Sequence, residues 1–79
     1  MSKKDLALQE ILENGYITSW DAFTKHHNTR LSASIYSLRG EGYDIQMKMF
    51  TNPKTKSTYG VYYLHDKDIK RYERLLQNV

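Results

Sequence analysis

No cysteine occurs among the 79 residues, so neither a disulfide framework nor a thiolate zinc site staples the chain together, and packing has to suffice. Long apolar runs are also missing. The longest, Val61-Tyr62-Tyr63-Leu64, falls far short of the roughly 20 residues of a membrane span. The N-terminal Met1-Ser2-Lys3-Lys4-Asp5 leads into no apolar signal region. No membrane partner and a cytoplasmic location are therefore expected. The sequence has no Gly-rich phosphate loop and no recognisable Ser, His and acid framework, and its acids are dispersed along polar faces, which argues against catalysis and against a cofactor. Adjacent histidines on a helix point about 100° apart. His26-His27, with His65 and without a cysteine or a further carboxylate beside them, therefore do not make a metal site. A chain this short buries only about 60 to 65% of its unfolded surface, which also argues against a large enzyme pocket.

Thirty-nine per cent hydrophobic residues and ten aromatics, seven Tyr, two Phe and one Trp, suffice for a modest core and exclude a disordered composition. The formal net charge of +3 is moderate and unevenly spread. Residues 1–28 carry −1, residues 29–58 carry +3 and residues 59–79 carry +1. A polyanion partner is thus suggested by the middle of the chain and not by its ends.

Asp5 to Asn14 places Leu8, Ile11 and Leu12 at helical spacing with Leu6 nearby, and Gly15 follows as a left-handed stop, so a first helix is predicted there. Tyr16-Ile17-Thr18 is a strand stub able to add one β-bridge. Thr18-x-x-Asp21 resembles a capping box with Asp at its third position, and opens a short second helix to about His26. Trp20 and Phe23 are expected to anchor that helix in the core. After a His27-Asn28 turn, Thr29 can cap a third helix over Arg30 to Glu41, in which Leu31, Ile35 and Leu38 form one buried stripe and Gly42 supplies the stop. From Tyr43 to Phe50 the period changes to two, the sign of a strand. The polar segment Thr51-Asn52-Pro53-Lys54-Thr55-Lys56-Ser57 then turns the chain into a second strand, Thr58 to Leu64. Asp66 is a plausible cap for a last helix to Gln77 bearing Ile69, Tyr72, Leu75 and Leu76. No internal repeat or linker divides the chain.

This order predicts an α+β winged helix-turn-helix domain with a three-helix core, a two-stranded β-hairpin wing and a C-terminal helix. One domain is expected over residues 1–79, with the helix-turn-helix and wing at 5–64 and the last helix at 66–77. Gly15, Ile17 and Thr18, then Thr29, Arg30, Leu31, Ile35, Leu38, Arg39, Gly42, Tyr43 and Ile45, resemble the pattern of a small helix-turn-helix domain found in many bacteriophage and prophage genomes. The resemblance covers roughly residues 6–64. It implies DNA binding through the helix that starts at Thr29-Arg30, and phage-linked gene control in a bacterial host cell. Ser34 and Gly40 stand where a basic residue is common in that family, departures that weaken the backbone grip.

The residues and the resemblance together give a candidate interface to double-stranded DNA: Thr29, Arg30, Ser32, Ala33, Tyr36, Ser37 and Arg39 on the third helix, thin enough for a major groove about 12 Å wide, and Lys48, Lys54 and Lys56 on the wing. Each has a plainer reading. Arg30 can pair with Asp21, Arg39 with Glu41 or Asp44, Tyr36 can pack under the wing, and the lysines can be solvated. Ile69, Tyr72, Leu75 and Leu76 suggest a homodimer seam through the last helix, because one small module makes few phosphate contacts. The same scaffold also serves a protein partner in place of DNA.

Overall fold

The computed structural model describes residues 2–77. Its elements run α1 (Lys3–Asn14), β1 (Tyr16–Thr18), α2 (Ser19–His26), α3 (Leu31–Gly40), β2 (Gln46–Thr51), β3 (Thr58–Tyr63) and α4 (Asp66–Gln77). This is the predicted α+β order, and local chemistry sets most of the boundaries. Ser2 Oγ accepts from the Asp5 amide at 3.2 Å, so α1 starts two residues before the predicted Asp5. Gly15, at φ 92°, ends it. The Thr18–Asp21 capping box is complete: Thr18 Oγ1 accepts from the Asp21 amide at 3.1 Å, and the Thr18 amide donates to the Asp21 carboxylate at 3.3 Å.

The end of α3 explains why β2 begins at Gln46 and not at Tyr43. Gly42 takes φ 106°, its amide donates to the Arg39 carbonyl, and the Tyr43 amide donates to the Leu38 carbonyl. This Schellman arrangement holds Tyr43 against the helix end and out of the strand ladder. α4 keeps the expected bounds of 66–77 with a different cap. The His65 carbonyl accepts from the Asp68 and Ile69 amides, which places Asp66 inside the first turn and not at its cap.

The sheet has three antiparallel strands in the order β1-β3-β2. β1 is more than a single bridge: Tyr16, Ile17 and Thr18 face Tyr63, Tyr62 and Val61 in register. The wing is therefore two strands of a three-stranded sheet. β2 pairs Met47 with Tyr62, Lys48 with Val61 and Phe50 with Tyr59. Alternation then divides the sheet into two faces. Ile17 and Tyr62 close a core made with Ala7, Ile11, Ala22, Leu31, Ile35, Leu38 and Ile45. Tyr16, Val61, Phe50 and Tyr59 lie on the other face, where α4 covers them. Ile69 is buried, and the Tyr72 ring sits 4.6 Å from that of Tyr16 and 5.1 Å from that of Phe50. The Tyr72 and Tyr59 hydroxyls are 2.9 Å apart. Burial, then the hydrogen bond to Tyr59, raises the Tyr72 phenol well above its usual range.

Two expected core residues lie outside. Trp20 is 71% exposed and Phe23 50%, and α2 enters the core through Ala22. Trp20 lies roughly 160° around the helix from Ala22, so a short helix cannot bury both. A small residue lets α2 approach closely, and bulk alone misidentifies the inner face. In α1, Ala7 and Ile11 are buried while Leu12 is exposed, and Glu10 is buried in its place. The Glu10 side of α1 is roofed by α2, and the Leu12 side is not. Among the described residues no helix is long and apolar enough to cross a membrane.

Candidate nucleic-acid interface

α3 shows the predicted stripe. Leu31, Ile35 and Leu38 are buried, leaving Ser32, Ala33, Tyr36, Ser37 and Arg39 exposed beside Thr29 and Arg30. Tyr36 is 79% exposed, which removes the alternative that it packs under the wing. The outer face carries no acid, and the first turn of α3 contains none.

The start of α3 corrects the expected cap. Arg30 is the cap residue, and no side chain accepts from the first-turn amides. Thr29 is exposed, and Asn28, which the sequence suggests only as part of a turn, organises the junction. Asn28 is buried, its Oδ1 accepts from the Arg30 amide at 2.9 Å, its Nδ2 donates to Ser34 Oγ at 3.2 Å, and its own amide donates to the Ala22 carbonyl at 2.9 Å. Asn28 therefore ties α2 to the first turn of α3 and fixes where Arg30 leaves the surface. The Ala33 amide donates to the Arg30 carbonyl at 3.1 Å, and the Leu31 and Ser32 amides have no side-chain cap, so the partial positive charge of the helix start faces outward. Arg30 makes no salt bridge among the described residues, so the alternative pairing with Asp21 does not occur.

Arg39 does not pair with Glu41 or Asp44. Its Nε donates to the Ile45 carbonyl at 2.9 Å, which ties the end of α3 to the approach to β2 and leaves the rest of an exposed guanidinium facing outward. Glu41 pairs with Lys4 at 2.6 Å, and this raises the Lys4 ammonium above its ordinary value.

The wing divides its lysines. At the tip, Asn52 Oδ1 accepts from the Lys54 and Thr55 amides, the Lys56 amide donates to the Asn52 carbonyl, and the Asn52 amide donates to the Ser57 carbonyl. This tight turn closes through Lys56 at φ 63°, the left-handed region. Lys54 and Lys56 are exposed and free of carboxylate partners among the described residues. Lys48 differs: it is paired with Glu73 of α4, whose hydrogen bond raises the ammonium above its ordinary value. Its charge clamps the wing to α4, and of the three wing lysines it is the one with a carboxylate partner among the described residues.

Of the four residues expected on a dimer seam, Ile69 is buried within the chain and Tyr72 packs against Tyr16 and Phe50. Leu75 and Leu76, 57% and 36% exposed, remain outside.

A charged cluster that the sequence reading missed supports the α1–α2 pair. Buried Glu10 accepts from Lys25 Nζ at 2.6 Å and from Asn14 Nδ2 at 2.7 Å, and His26 Nε2 lies 3.7 Å from its other oxygen. Burial pushes the Glu10 carboxyl up, but the hydrogen bonds from Lys25 and Asn14 outweigh it and hold the group below its ordinary value of 4.5. No sequence signal marks this group, since Glu10 and Lys25 stand on separate helices.

Residues 4–67 match the family described as winged helix-turn-helix domain. No curated protein and no solved structure gives a significant match.

Proposed function

The chain belongs to the winged helix-turn-helix domain family, and from that premise we propose that it binds double-stranded DNA with α3 in the major groove and the wing tip on the adjacent phosphates. The single observation that carries this reading is the outer face of α3. It is acid-free and thin, starts without a side-chain cap, and bears Arg30, whose amide is held by Asn28 and whose guanidinium has no carboxylate partner among the described residues. Thr29, Ser32, Ala33, Tyr36 and Ser37 would line the groove floor and walls. Arg39 with Lys54 and Lys56 would grip the backbone on either side. The likeness of Gly15 to Thr18 and of Thr29 to Ile45 to phage and prophage domains supports a role as a phage-encoded transcriptional regulator. One module makes few phosphate contacts, so a second copy joined through Leu75 and Leu76 would supply the missing affinity.

The test is Arg30→Ala in a salt-controlled binding assay on a selected site and on random duplex. A bidentate guanine contact predicts a loss of about 1–3 kcal/mol on the selected site with relaxed preference at one base position. An equal loss on both DNAs makes Arg30 a phosphate ligand, and no loss on any duplex removes α3 from the interface. A second reading, a module for a protein partner, draws on the exposed pair Trp20 and Phe23, whose rings lie 6.3 Å apart on α2. Protection of that pair by a protein with no DNA affinity in the chain would favour it.

A further inference from the structure

α4 carries a second array of cations that neither the core nor the proposed interface uses. Lys67, Lys70, Arg71 and Arg74 are all exposed and recur at spacings of three, one and three, so they share one face of the helix. The opposite face holds Ile69 and Tyr72, which dock on the sheet. Lys67, Lys70 and Arg74 therefore lie on the outward side of α4, while Arg71 at the edge of the stripe reaches back to α1. Asp66 and Asp68 stand in the first turn, where they complement the helix dipole. Lys67, Lys70 and Arg74 have no salt bridge among the described residues. Arg71 alone is engaged, donating to the Asn14 carbonyl at 3.1 Å, with Asp68 at 3.9 Å.

Like charges three and four apart on a helix repel, each pair costing roughly 0.2–0.5 kcal/mol. Arg71 ties α4 to α1 and Arg74 complements the helix end, while Lys67 and Lys70 make no salt bridge among the described residues. The array falls almost wholly outside the family match, which ends at residue 67, while α4 runs to Gln77. The last turn of α4 reaches the wing: Leu76 and Gln77 border the same depression as Pro53 and Lys54. α4 docks on the sheet face opposite the one that packs on α3, so the stripe and α3 lie on opposite sides of the sheet, while Arg71 reaches the end of α1.

We propose that the outward face of α4 is a second, sequence-independent phosphate-binding surface that takes a separate segment of duplex DNA, so that one copy of the chain bridges two duplexes. This rests on the reading of α3 and the wing as the first DNA surface. From Lys67 to Arg74 the stripe is about 10 Å long at 1.5 Å per residue. Each strand of a duplex carries one phosphate per roughly 3.4 Å of its axis, so a stripe of that length meets about three phosphates of the strand it faces. The surface has charge and no groove-sized feature, which suits a backbone contact and not base reading.

The test immobilises one duplex and measures retention of a second, fluorescent duplex of unrelated sequence by the full chain at low salt, with the size of the DNA-free protein measured at the same concentration. The wild-type chain should retain the second duplex. Lys67→Gln with Lys70→Gln and Arg74→Gln should lose retention about tenfold or more, and removing three phosphate contacts should lower the slope of log retention against log salt by up to roughly 2.7. Binding of that variant to the first duplex, its helical circular dichroism and its size should stay as in the wild type. If the triple variant does not fold, Lys67→Gln with Lys70→Gln should still lose most of the retention. Several results overturn the proposal: a wild type that binds one duplex and retains no second, a folded variant that retains as much as the wild type, or a stripe that binds polyglutamate and no second duplex. Loss of retention in Leu75→Glu, with a change of size, assigns bridging to a dimer and also overturns it. A wild type that binds no duplex at all sinks the reading of α3 as well, and is told apart by the empty first step.

Discussion

The α1–α2 layer and the α3–wing edge both carry lysine and arginine, yet they use them differently. In the first, Lys3 donates to the His27 carbonyl at 2.7 Å, Lys4 pairs with Glu41, and Lys25 pairs with Glu10. In the second, Arg30, Lys54 and Lys56 have no carboxylate within reach among the described residues. Cations with internal partners position helices. Cations without them leave a field at the surface, and a polyanion is the partner that neutralises such a field most effectively. Net charge alone conceals the contrast.

The comparison is repeated within α4, and the largest expected effect lies there. Ile69→Ala should destabilise the fold by about 2–4 kcal/mol, measured by denaturant titration, because it empties a site between α4 and the sheet. Leu75→Glu with Leu76→Glu should leave the fold intact. If that double variant unfolds the chain and Ile69→Ala does not, the docked and free sides of α4 have been assigned the wrong way round. Size measurement across a dilution series of the double variant also reports whether Leu75 and Leu76 join two copies.

Glu10→Gln should cost on the order of 1–2 kcal/mol near neutral pH, since it removes the charge that holds Lys25 and Asn14. The pH dependence has a definite sign. The folded-state carboxyl lies below its ordinary value of 4.5, so its contribution is full above that value and is lost as pH falls through the lower folded one. The stability gap between wild type and Glu10→Gln should therefore close in acid. A gap that stays constant with pH would show that the carboxylate is not what joins α1 to α2.

Lys54→Ala with Lys56→Asn should leave stability within about 0.5 kcal/mol, because asparagine tolerates the left-handed backbone at position 56. It should lower the slope of log K against log salt by up to roughly 2 on selected and random DNA alike. An unchanged slope takes the wing tip out of the interface. The smallest effect is expected from Trp20→Ala, within about 0.5 kcal/mol of wild-type stability, since the indole is 71% exposed. Trp20 is also the chain's single tryptophan, so its fluorescence in the wild type reports directly whether α2 is covered when DNA or protein is added.

Much of the frame was legible because it is written within single turns of chain. The Thr18–Asp21 capping box, the stops at Gly15 and Gly42, and the Leu31-Ile35-Leu38 stripe each depend on residues at most a few positions apart. The exposed face of α3 follows from that stripe by helical geometry, which is why Arg30, Ser32, Ala33, Tyr36 and Ser37 were found together. The contact roles of these residues are a matter for the binding assays.

By itself the sequence determined the order of elements, their approximate ends and the inward phase of α3, because caps, turns and hydrophobic periodicity act locally. Only the tertiary structure decided which way an ambiguous side chain would be used. Lys48 meets Glu73, 25 residues away, and Arg71 meets the Asn14 carbonyl, 57 residues away. Trp20 stays outside because Ala22 lets α2 approach, and Glu10 goes inside because Lys25 arrives to pair with it. A side chain's environment is set by the elements packed over it, and at these positions those elements come from distant parts of the chain.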